Sequence, residues 1–371
     1  ALAAREAGAD VRVVVLHRLV PPRAALRGGP RTLATAARDL VAQPGRATLD
    51  GLEVRYVPFV SPPRPRSYGS WGAWAAPVLD VALRALRRSF PFDLLHAHNA
   101  VPAGDAVLRT GPGRAVPLVL SVHGGDVFHT APGSVAGERA VRRALGTARM
   151  VLANSAGTAT HARELGAGAP RVVHLGTDLP ARGPHHEPVP TVVTLAHLDP
   201  RKRHEDVLRA LWLLRDRHPR ARHLIIGDGP RRQALERLAR ELDLAGRVEL
   251  TGQLAHPQAL ERARRGHVFA MPSVDEAFGV AYVEAMAAGL PAIGARGEPG
   301  PEEIARLGGG LSLVAPGDVE ALAARLDHLL GDEDHRRREG QAARLTVERH
   351  FTWAKCGRAT VAAYHRALGG Q

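Results

Sequence analysis

Two glutamates dominate the part of the chain best equipped for chemistry. The stretch reads Pro272-Ser273-Val274-Asp275-Glu276-Ala277-Phe278-Gly279-Val280-Ala281-Tyr282-Val283-Glu284-Ala285-Met286-Ala287-Ala288-Gly289-Leu290-Pro291. A strand near Val268–Met271 runs into a polar loop, and a helix over Val280–Ala288 follows Gly279. The first N–H groups of that helix have no partners within it and form a ready anion site. Glu276 precedes the helix and Glu284 lies inside it, eight residues on. At 100° per residue they would stand about 80° apart even on one helix. They are not a paired acid and base on one face. They reach different parts of one long ligand.

Other candidates are spread along the chain. Lys202, in Leu198-Asp199-Pro200-Arg201-Lys202-Arg203-His204, is one of only two lysines beside 48 arginines. Gly227-Asp228-Gly229-Pro230 follows a strand-like run, but Pro230 and the absent third glycine separate it from the dinucleotide fingerprint. In Leu120-Ser121-Val122-His123-Gly124-Gly125-Asp126 a strand runs into glycines that let a ligand approach the backbone. His96 and His98 share one strand face by the period of two. They make at most half of a metal site, because no third ligand has suitable spacing and no Asp-x-Asp occurs. Nothing in the sequence calls for a metal or a cofactor.

The elements that must position these residues alternate. The chain opens with the end of a helix closed by Gly8. A buried strand over Val11–Leu16 follows, then a loop-rich stretch with Pro62, Pro63 and Pro65. Residues 71–88 read as an amphipathic helix with Trp71 and Trp74 near its start and Arg84, Arg87 and Arg88 near its end. Strands are expected at Asp93–His96, Val116–Val122 and Met150–Ala153. Residues 180–190 carry Pro180, Pro184, Pro188 and Pro190 and read as a linker. A second series then begins: strand Thr191–Leu195, helix Glu205–Arg217, strand Arg222–Ile226, helix Arg231–Leu242, strand Arg247–Leu250 and strand Pro291–Ile293. Strands alternating with helices predict parallel sheets in an α/β fold of two doubly wound domains facing across a hinge, with ligands at the carboxyl ends of the strands. The expected layout is residues 1–179, a linker at 180–190, a second domain over 191–350, and a final helix, 351–371, returning to the first domain.

Composition narrows the field. The 371 residues are 45% hydrophobic and 23% charged, a globular balance. No run approaches ~20 apolar residues, so the described pattern is not that of a polytopic membrane protein. The single cysteine, Cys356, forbids an internal disulfide and fits a reducing compartment. The net charge is +13. Residues 1–190 hold 23 basic and 13 acidic side chains, against 27 and 24 in residues 191–371. Aromatics are only 4%, a poor supply of base-stacking platforms, so nucleic acid is not the expected partner.

Taken together, Leu198–His204, Gly227-Asp228-Gly229-Pro230, Thr251-Gly252-Gln253-Leu254 and the glutamate block resemble glycosyltransferase family 4, retaining enzymes of the GT-B fold. The glutamate block is similar to the family's Glu-x7-Glu motif. The resemblance is strongest over 191–294 and looser over 93–126, 150–178 and 351–366. It implies that the second domain binds a nucleotide-sugar donor and the first an acceptor, saccharide or lipid-linked. It further implies that Lys202 neutralises the donor diphosphate, that Glu284 takes the ribose hydroxyls, and that Glu276 holds hydroxyls of the transferred sugar. Backbone groups at Ala277, Phe278, Gly279 and Val280 would hold phosphate or sugar oxygens. Leu254 and His197 would also line the donor site, although His197 stands where the family often has arginine and cannot clamp a phosphate in bidentate fashion. The Leu120–Asp126 turn resembles the family's His-Gly-x-Asp turn, so His123 and Gly124 would meet the donor sugar.

The expected activity is retaining sugar transfer to an acceptor hydroxyl in envelope polysaccharide or glycolipid synthesis. The expected location is the cytoplasm, peripheral on an anionic inner membrane surface. A nucleotide-sugar 2-epimerase and a non-catalytic nucleotide-sugar binding protein are the alternatives. A doubly wound domain normally opens with a strand and a glycine turn, and here a helix end comes first. The expectation is therefore a longer parent product, by about 20–30 residues, and a destabilised first domain with little transfer activity in the chain as it stands.

Overall fold

The computed structural model describes residues 1–19, 45–64, 67–181 and 183–369. Pro65 and residues 20–44 of the expected loop-rich stretch lie outside the described residues. The chain divides into two compact units, Ala1–Val173 with Cys356–Gln371, and His174–Lys355.

In the first unit, helix α1 (Leu2–Glu6) ends in a turn through Gly8, whose φ of 102° is left-handed. Strand β1 (Val13–Arg18) follows. The stretch expected to be loop-rich holds a hairpin, β2 (Arg46–Leu49) and β3 (Leu52–Phe59). Its turn is Asp50-Gly51, with φ of 49° and 73°, the double positive pair of a tight hairpin. Strand β3 buries Leu52, Val54, Val57 and Phe59. Arg55 and Pro58 interrupt the hydrophobic run, which hid the strand. β3 pairs in parallel with β1 and completes a three-stranded sheet. The β-branched run of β1 was expected to be buried, yet all six of its positions are half-buried. Among the described strands it is hydrogen-bonded to β3 alone.

Helix α2 (Trp71–Ser89) packs Trp71, Ala75, Leu79, Leu83 and Leu86 inward, the spacing of one helical stripe. A second, all-parallel sheet has the order β4-β5-β6-β7. Strand β4 (Leu95–His98) lies two residues later than expected, which puts both His96 and His98 inside it. β5 (Leu118–Val122) is buried at every position. Helix α3 (Val135–Thr147), β6 (Met150–Ala153), α4 (Ala156–Glu164) and β7 (Arg171–Val172) complete this series. Ser134 and Ser155 cap the two helices with side-chain oxygens.

The second unit is one six-stranded parallel sheet. In chain order it runs β8 (Thr191–Leu195), α5 (His204–Leu213), β9 (Arg222–Ile226), α6 (Arg232–Glu241), β10 (Val248–Leu250), α7 (His256–Ala263), β11 (Val268–Ala270), α8 (Val280–Ala287), β12 (Ala292–Ala295), α9 (Pro299–Leu307), β13 (Leu311–Val314), α10 (Val319–Gly331) and α11 (Glu333–His350). The strand order is β10-β9-β8-β11-β12-β13. Winding reverses between β8 and β11. That switch point opens a crevice beyond their carboxyl ends. One face of the sheet is covered by Phe269, Phe278, Tyr282, Met286 and Phe351, the other by Val207, Leu211, Leu322, Leu326 and Leu329. Helix α12 (Trp353–Ala367) ends the described chain. From Cys356 it belongs to the first unit, where Ala363 and Ala367 meet Val119 and Leu152. A Cβ on Gly357 would stand 2.0 Å from the Ala3 carbonyl oxygen, so only glycine permits that approach to α1.

The expected linker at 180–190 lies inside the second unit as the contacts divide the chain. The changeover falls at Val173/His174, and the proline-rich segment is tied into the second unit. The Glu187 N–H donates to Arg265 O at 2.9 Å, His186 Nδ1 bonds Gly266 O at 2.6 Å, and Arg344 donates to Pro180 O at 2.9 Å. Prolines bar the segment from a sheet but leave its carbonyls and side chains free to be held. Among the described residues no helix is long and apolar enough to cross a membrane.

His223, in β9, is fully buried. Its Nε2 bonds Thr194 Oγ1 at 2.9 Å, and its Nδ1 has no partner. Burial, and then the charge of His204, push its pKa down to about 3. Between pH 6.5 and 3 the unfolded chain therefore binds a proton that the folded chain does not, and stability falls as pH drops through 6.5. Lowering the pH from 7 to 5 should cost the second unit about 2 kcal/mol through this group. Urea unfolding of the wild type and of His223→Val at both pH values checks this. The substitution should flatten the dependence, and an equal loss in both proteins contradicts it.

Candidate functional site

The site is built on loops that leave β8 and β11 at the switch point. After β8 the chain passes His197 and enters the turn Pro200–Lys202. After β11 it runs through Ser273 to Gly279 and into α8. The two loops are stitched together. The Val274 N–H donates to Arg201 O at 2.8 Å, and Lys202 Nζ donates to Glu276 Oε2 at 2.5 Å. The Ser273 hydroxyl donates to the same oxygen at 3.0 Å. Lys202 and Glu276 are only 9% and 8% exposed. The sequence presented these two as separate ligand contacts, and the structure couples them into one buried ion pair.

Backbone geometry completes the loop. Glu298 accepts the Glu276 N–H at 2.8 Å, and Gly300 N–H donates to Glu276 O at 3.1 Å. Burial, chiefly, holds the Glu298 pKa above its usual range. Gly279 has a φ of 84°, and a Cβ there would lie 2.3 Å from the Tyr282 ring. The turn that opens α8 therefore needs glycine. Tyr282 is buried beneath it, its hydroxyl bonded to Met271 O. Burial raises that hydroxyl's pKa, so it stays a neutral donor. The side chains of Ala277 and Phe278 are buried, Phe278 in the core against Phe351. Any contribution of theirs to a ligand comes from the backbone.

Beside this lies a cavity of about 290 Å³ whose lining includes His197, Gly227, Leu254, His256, Ala281 and Glu284. Gly227 is demanded by the geometry: its φ is 146° and a Cβ would meet Ala196 O at 2.1 Å. Glu284 is hydrogen-bonded by His256 Nε2 at 2.8 Å. Burial raises the Glu284 pKa, and His256 opposes the shift. The two glutamates thus do separate work, Glu276 with a lysine and Glu284 with a histidine. His256 was not legible as a partner, since 28 residues separate it from Glu284. His197 Nε2 is 3.9 Å from Asp199 Oδ1, so this histidine faces a carboxylate rather than lying idle.

The first unit has its own cluster where β4 and β5 end. His123 follows β5, and Gly124 continues with a φ of 101°. His123 Nε2 meets His98 Nδ1 at 3.0 Å. His96, stacked on His98 with centroids 4.5 Å apart, bonds Tyr364 and Ser121. Both of its nitrogens are committed within the protein. Asp126 is buried, accepts the Val101 N–H at 3.2 Å, and has its pKa pushed up to about 6 by burial. The described residues contain no group of three or more His, Cys, Asp and Glu side chains arranged to hold a metal ion.

A six-stranded parallel sheet with an anion-ready helix at its switch point, paired in the chain with a second α/β unit, places the protein among the GT-B glycosyltransferase folds. The solved structures that resemble it include sucrose-phosphate synthase from Thermosynechococcus elongatus, with a TM-score of 0.73 at 20% identity over 96% of this chain and 100% of that one. Anabaena HepE in complex with UDP and glucose has a TM-score of 0.68 at 18% identity, with the same coverage. The family model described as Glycosyltransferase Family 4 matches residues 1–181, and that described as Glycosyl transferases group 1 matches 177–346. The chain belongs to the family 4 glycosyltransferases. It is 33% identical over 176 residues, 45% of its length, to the GDP-mannose-dependent alpha-(1-6)-phosphatidylinositol monomannoside mannosyltransferase of Mycolicibacterium smegmatis. It is 36% identical over 182 residues, 48% of its length, to an exopolysaccharide phosphotransferase of Streptomyces coelicolor. These matches span 46% and 19% of the relatives' own lengths, less than half of either.

The Lys202–Glu276 pair sets a stability test. Removing one partner leaves a buried charge uncompensated, which costs about 3–5 kcal/mol, whereas removing both is far less harmful. Lys202→Met and Glu276→Gln should each lower the melting temperature, and the double variant should recover most of the loss. Additive losses in thermal unfolding would contradict the pairing.

Proposed function

We propose that the chain is a nucleotide-sugar-dependent glycosyltransferase that transfers a hexosyl group to an acceptor hydroxyl with retention. The buried Lys202–Glu276 pair beside the N-terminal turn of α8 carries this reading. A donor diphosphate against that turn meets unpaired N–H groups and the positive end of the helix. Lys202, already desolvated, supplies the mobile positive charge that a departing diphosphate requires. Glu276, linked to Lys202 and Ser273, is placed to hold hydroxyls of the transferred sugar, and Glu284 to accept those of the ribose. The cavity lined by Leu254 and His197 takes the nucleoside.

No carboxylate is required as a nucleophile. In front-side attack the acceptor hydroxyl enters on the leaving-group side and its proton passes to the diphosphate oxygen. The protein contributes positioning and charge stabilisation. The first unit takes the acceptor, with His123 and Gly124 as its sugar contacts. The nucleotide sugar is a substrate, and no cofactor enters the scheme. The family models describe glycosyl transferases, which favours transfer over the 2-epimerase and binding-only alternatives.

A lipid-linked acceptor is favoured by the name of the mycolicibacterial relative and by helix α2. Trp71 is core, but Trp74, Val78 and Val81 are 52%, 40% and 68% exposed along one outward stripe. Arg84 is paired with Asp80, while Arg87 and Arg88 are exposed at the helix end. An apolar stripe ending in arginines suits the cytoplasmic face of an anionic membrane.

Two measurements check this account. Lys202→Ala should lower turnover of the preferred nucleotide sugar on the order of 10²–10³-fold, and the donor itself is identified by thermal shift with UDP, GDP and ADP. Unchanged turnover removes Lys202 from the mechanism. In co-sedimentation, vesicles with phosphatidylglycerol should retain the protein, phosphatidylcholine vesicles should not, and Trp74→Ser with Val81→Ser should release it. Equal retention on both vesicles, or on neither, rejects the membrane face.

A further inference from the structure

The histidines where β4 and β5 end are arranged more strictly than ligand contact by His123 alone would need. The ring planes of His98 and His123 differ by only 3° with centroids 5.3 Å apart, and Nδ1 of one is 3.0 Å from Nε2 of the other. Nearly coplanar rings at that nitrogen separation meet edge to edge through a hydrogen bond. A neutral imidazole has one N–H and one bare nitrogen. Two neutral imidazoles joined in this way share one proton between them, and the remaining nitrogens become linked. If His98 donates, its Nε2 is bare and His123 Nδ1 carries hydrogen. If His123 donates, the roles reverse. Either way the pair turns one donor and one acceptor outward. Protonating either ring leaves two outward donors and no acceptor.

We infer that His98 and His123 act as one recognition unit, in which the tautomers of the two rings are locked to each other and the coupled pair reads two neighbouring hydroxyls of a sugar, one accepting and one donating. This rests on the proposal that a sugar meets His123. Neither His98 Nε2 nor His123 Nδ1 has a hydrogen-bond partner among the described residues, and His98 is exposed. The pair is held rigid from behind. The His96 ring lies 4.5 Å from that of His98 and is itself pinned by Tyr364 Oη at 2.6 Å and Ser121 Oγ at 2.8 Å. Tyr364 sits on α12, so the final helix helps to set the ring positions. One edge of the His98 ring is open, but desolvation of the rest, followed by the charge of His123, lowers its pKa to about 4, and burial lowers that of His123. Both rings are therefore neutral at pH 7, the state in which the donor–acceptor pattern exists. Glutamates in the second unit only accept when ionised. A neutral histidine pair can both give and take, which suits a diol.

The test uses the full chain with ¹⁵N-labelled histidine, read by two-bond ¹⁵N–¹H correlation at pH 7. In the wild type, His98 and His123 should show the same tautomer in the same proportions, assigned by loss of signals in His98→Ala and His123→Ala. His98→Ala should uncouple His123, shift its tautomer ratio and raise the KM for the sugar substrate about tenfold, one hydrogen bond's worth, with little change in kcat. His98→Asn places an amide near the lost Nδ1 but nothing at Nε2, and should hold His123 again without restoring the KM. Unmatched tautomers of His98 and His123 in the wild type, or an unaltered His123 in His98→Ala, would overturn the inference. The NMR result needs no substrate. Matched tautomers in a protein that turns over no nucleotide sugar would support the pair while refuting the proposed activity. Full turnover with unmatched tautomers would refute the pair alone.

Discussion

A lysine and a glutamate, 74 residues apart in the chain and 2.5 Å apart in the fold, hold the second unit's functional end together. Each comes from a loop on its own side of the switch point, one after β8 and one after β11. Desolvating two charges is costly, and their attraction repays the cost only when the geometry is good and the remaining lone pairs are satisfied. The Ser273 hydroxyl donates to the same Glu276 oxygen, and Glu298 holds the Glu276 backbone by accepting its N–H. The pair thereby fixes the loop that delivers Gly279 and the first turn of α8. A ligand anion arriving there meets a positive helix end already in place, so little reorganisation is left for the moment of binding.

The two units solve different chemical problems with different side chains. The second unit concentrates ionic chemistry: a buried lysine, two carboxylates and a helix N-terminus around a cavity of about 290 Å³. The first concentrates neutral, bifunctional chemistry in His96, His98 and His123, with Asp126 drawn toward neutrality by burial. Charges suit a phosphorylated nucleotide, and neutral hydrogen-bonding rings suit sugar hydroxyls.

Much of this architecture was legible from local signals. The expected strands Thr191–Leu195 and Arg222–Ile226 coincide with β8 and β9 residue for residue, because largely buried parallel strands carry short, mostly apolar runs such as Val192-Val193 and Leu224-Ile225-Ile226. Gly279 was recognisable because a turn into a helix demands it. What escaped depended on distance in sequence or on mixed signals. β3 was hidden by Arg55 and Pro58 although Asp50-Gly51 marked its hairpin. The start of β4 was placed two residues early because Asp93 and Leu94 looked extended. The proline-rich segment read as a linker because proline forbids regular structure, yet tertiary bonds from Gly266, Arg265 and Arg344 hold it. Lys202 with Glu276 and His256 with Glu284 are partners only in three dimensions, and no spacing rule announces either.

The most direct measurement is a crystal structure of the chain with its preferred nucleoside diphosphate. The account predicts the diphosphate at the N-terminal turn of α8 within reach of Lys202, the ribose hydroxyls on Glu284, and the base in the cavity beside Leu254 and His197. A nucleotide bound away from the β8/β11 switch point, with the Lys202–Glu276 and His256–Glu284 contacts untouched, would contradict it.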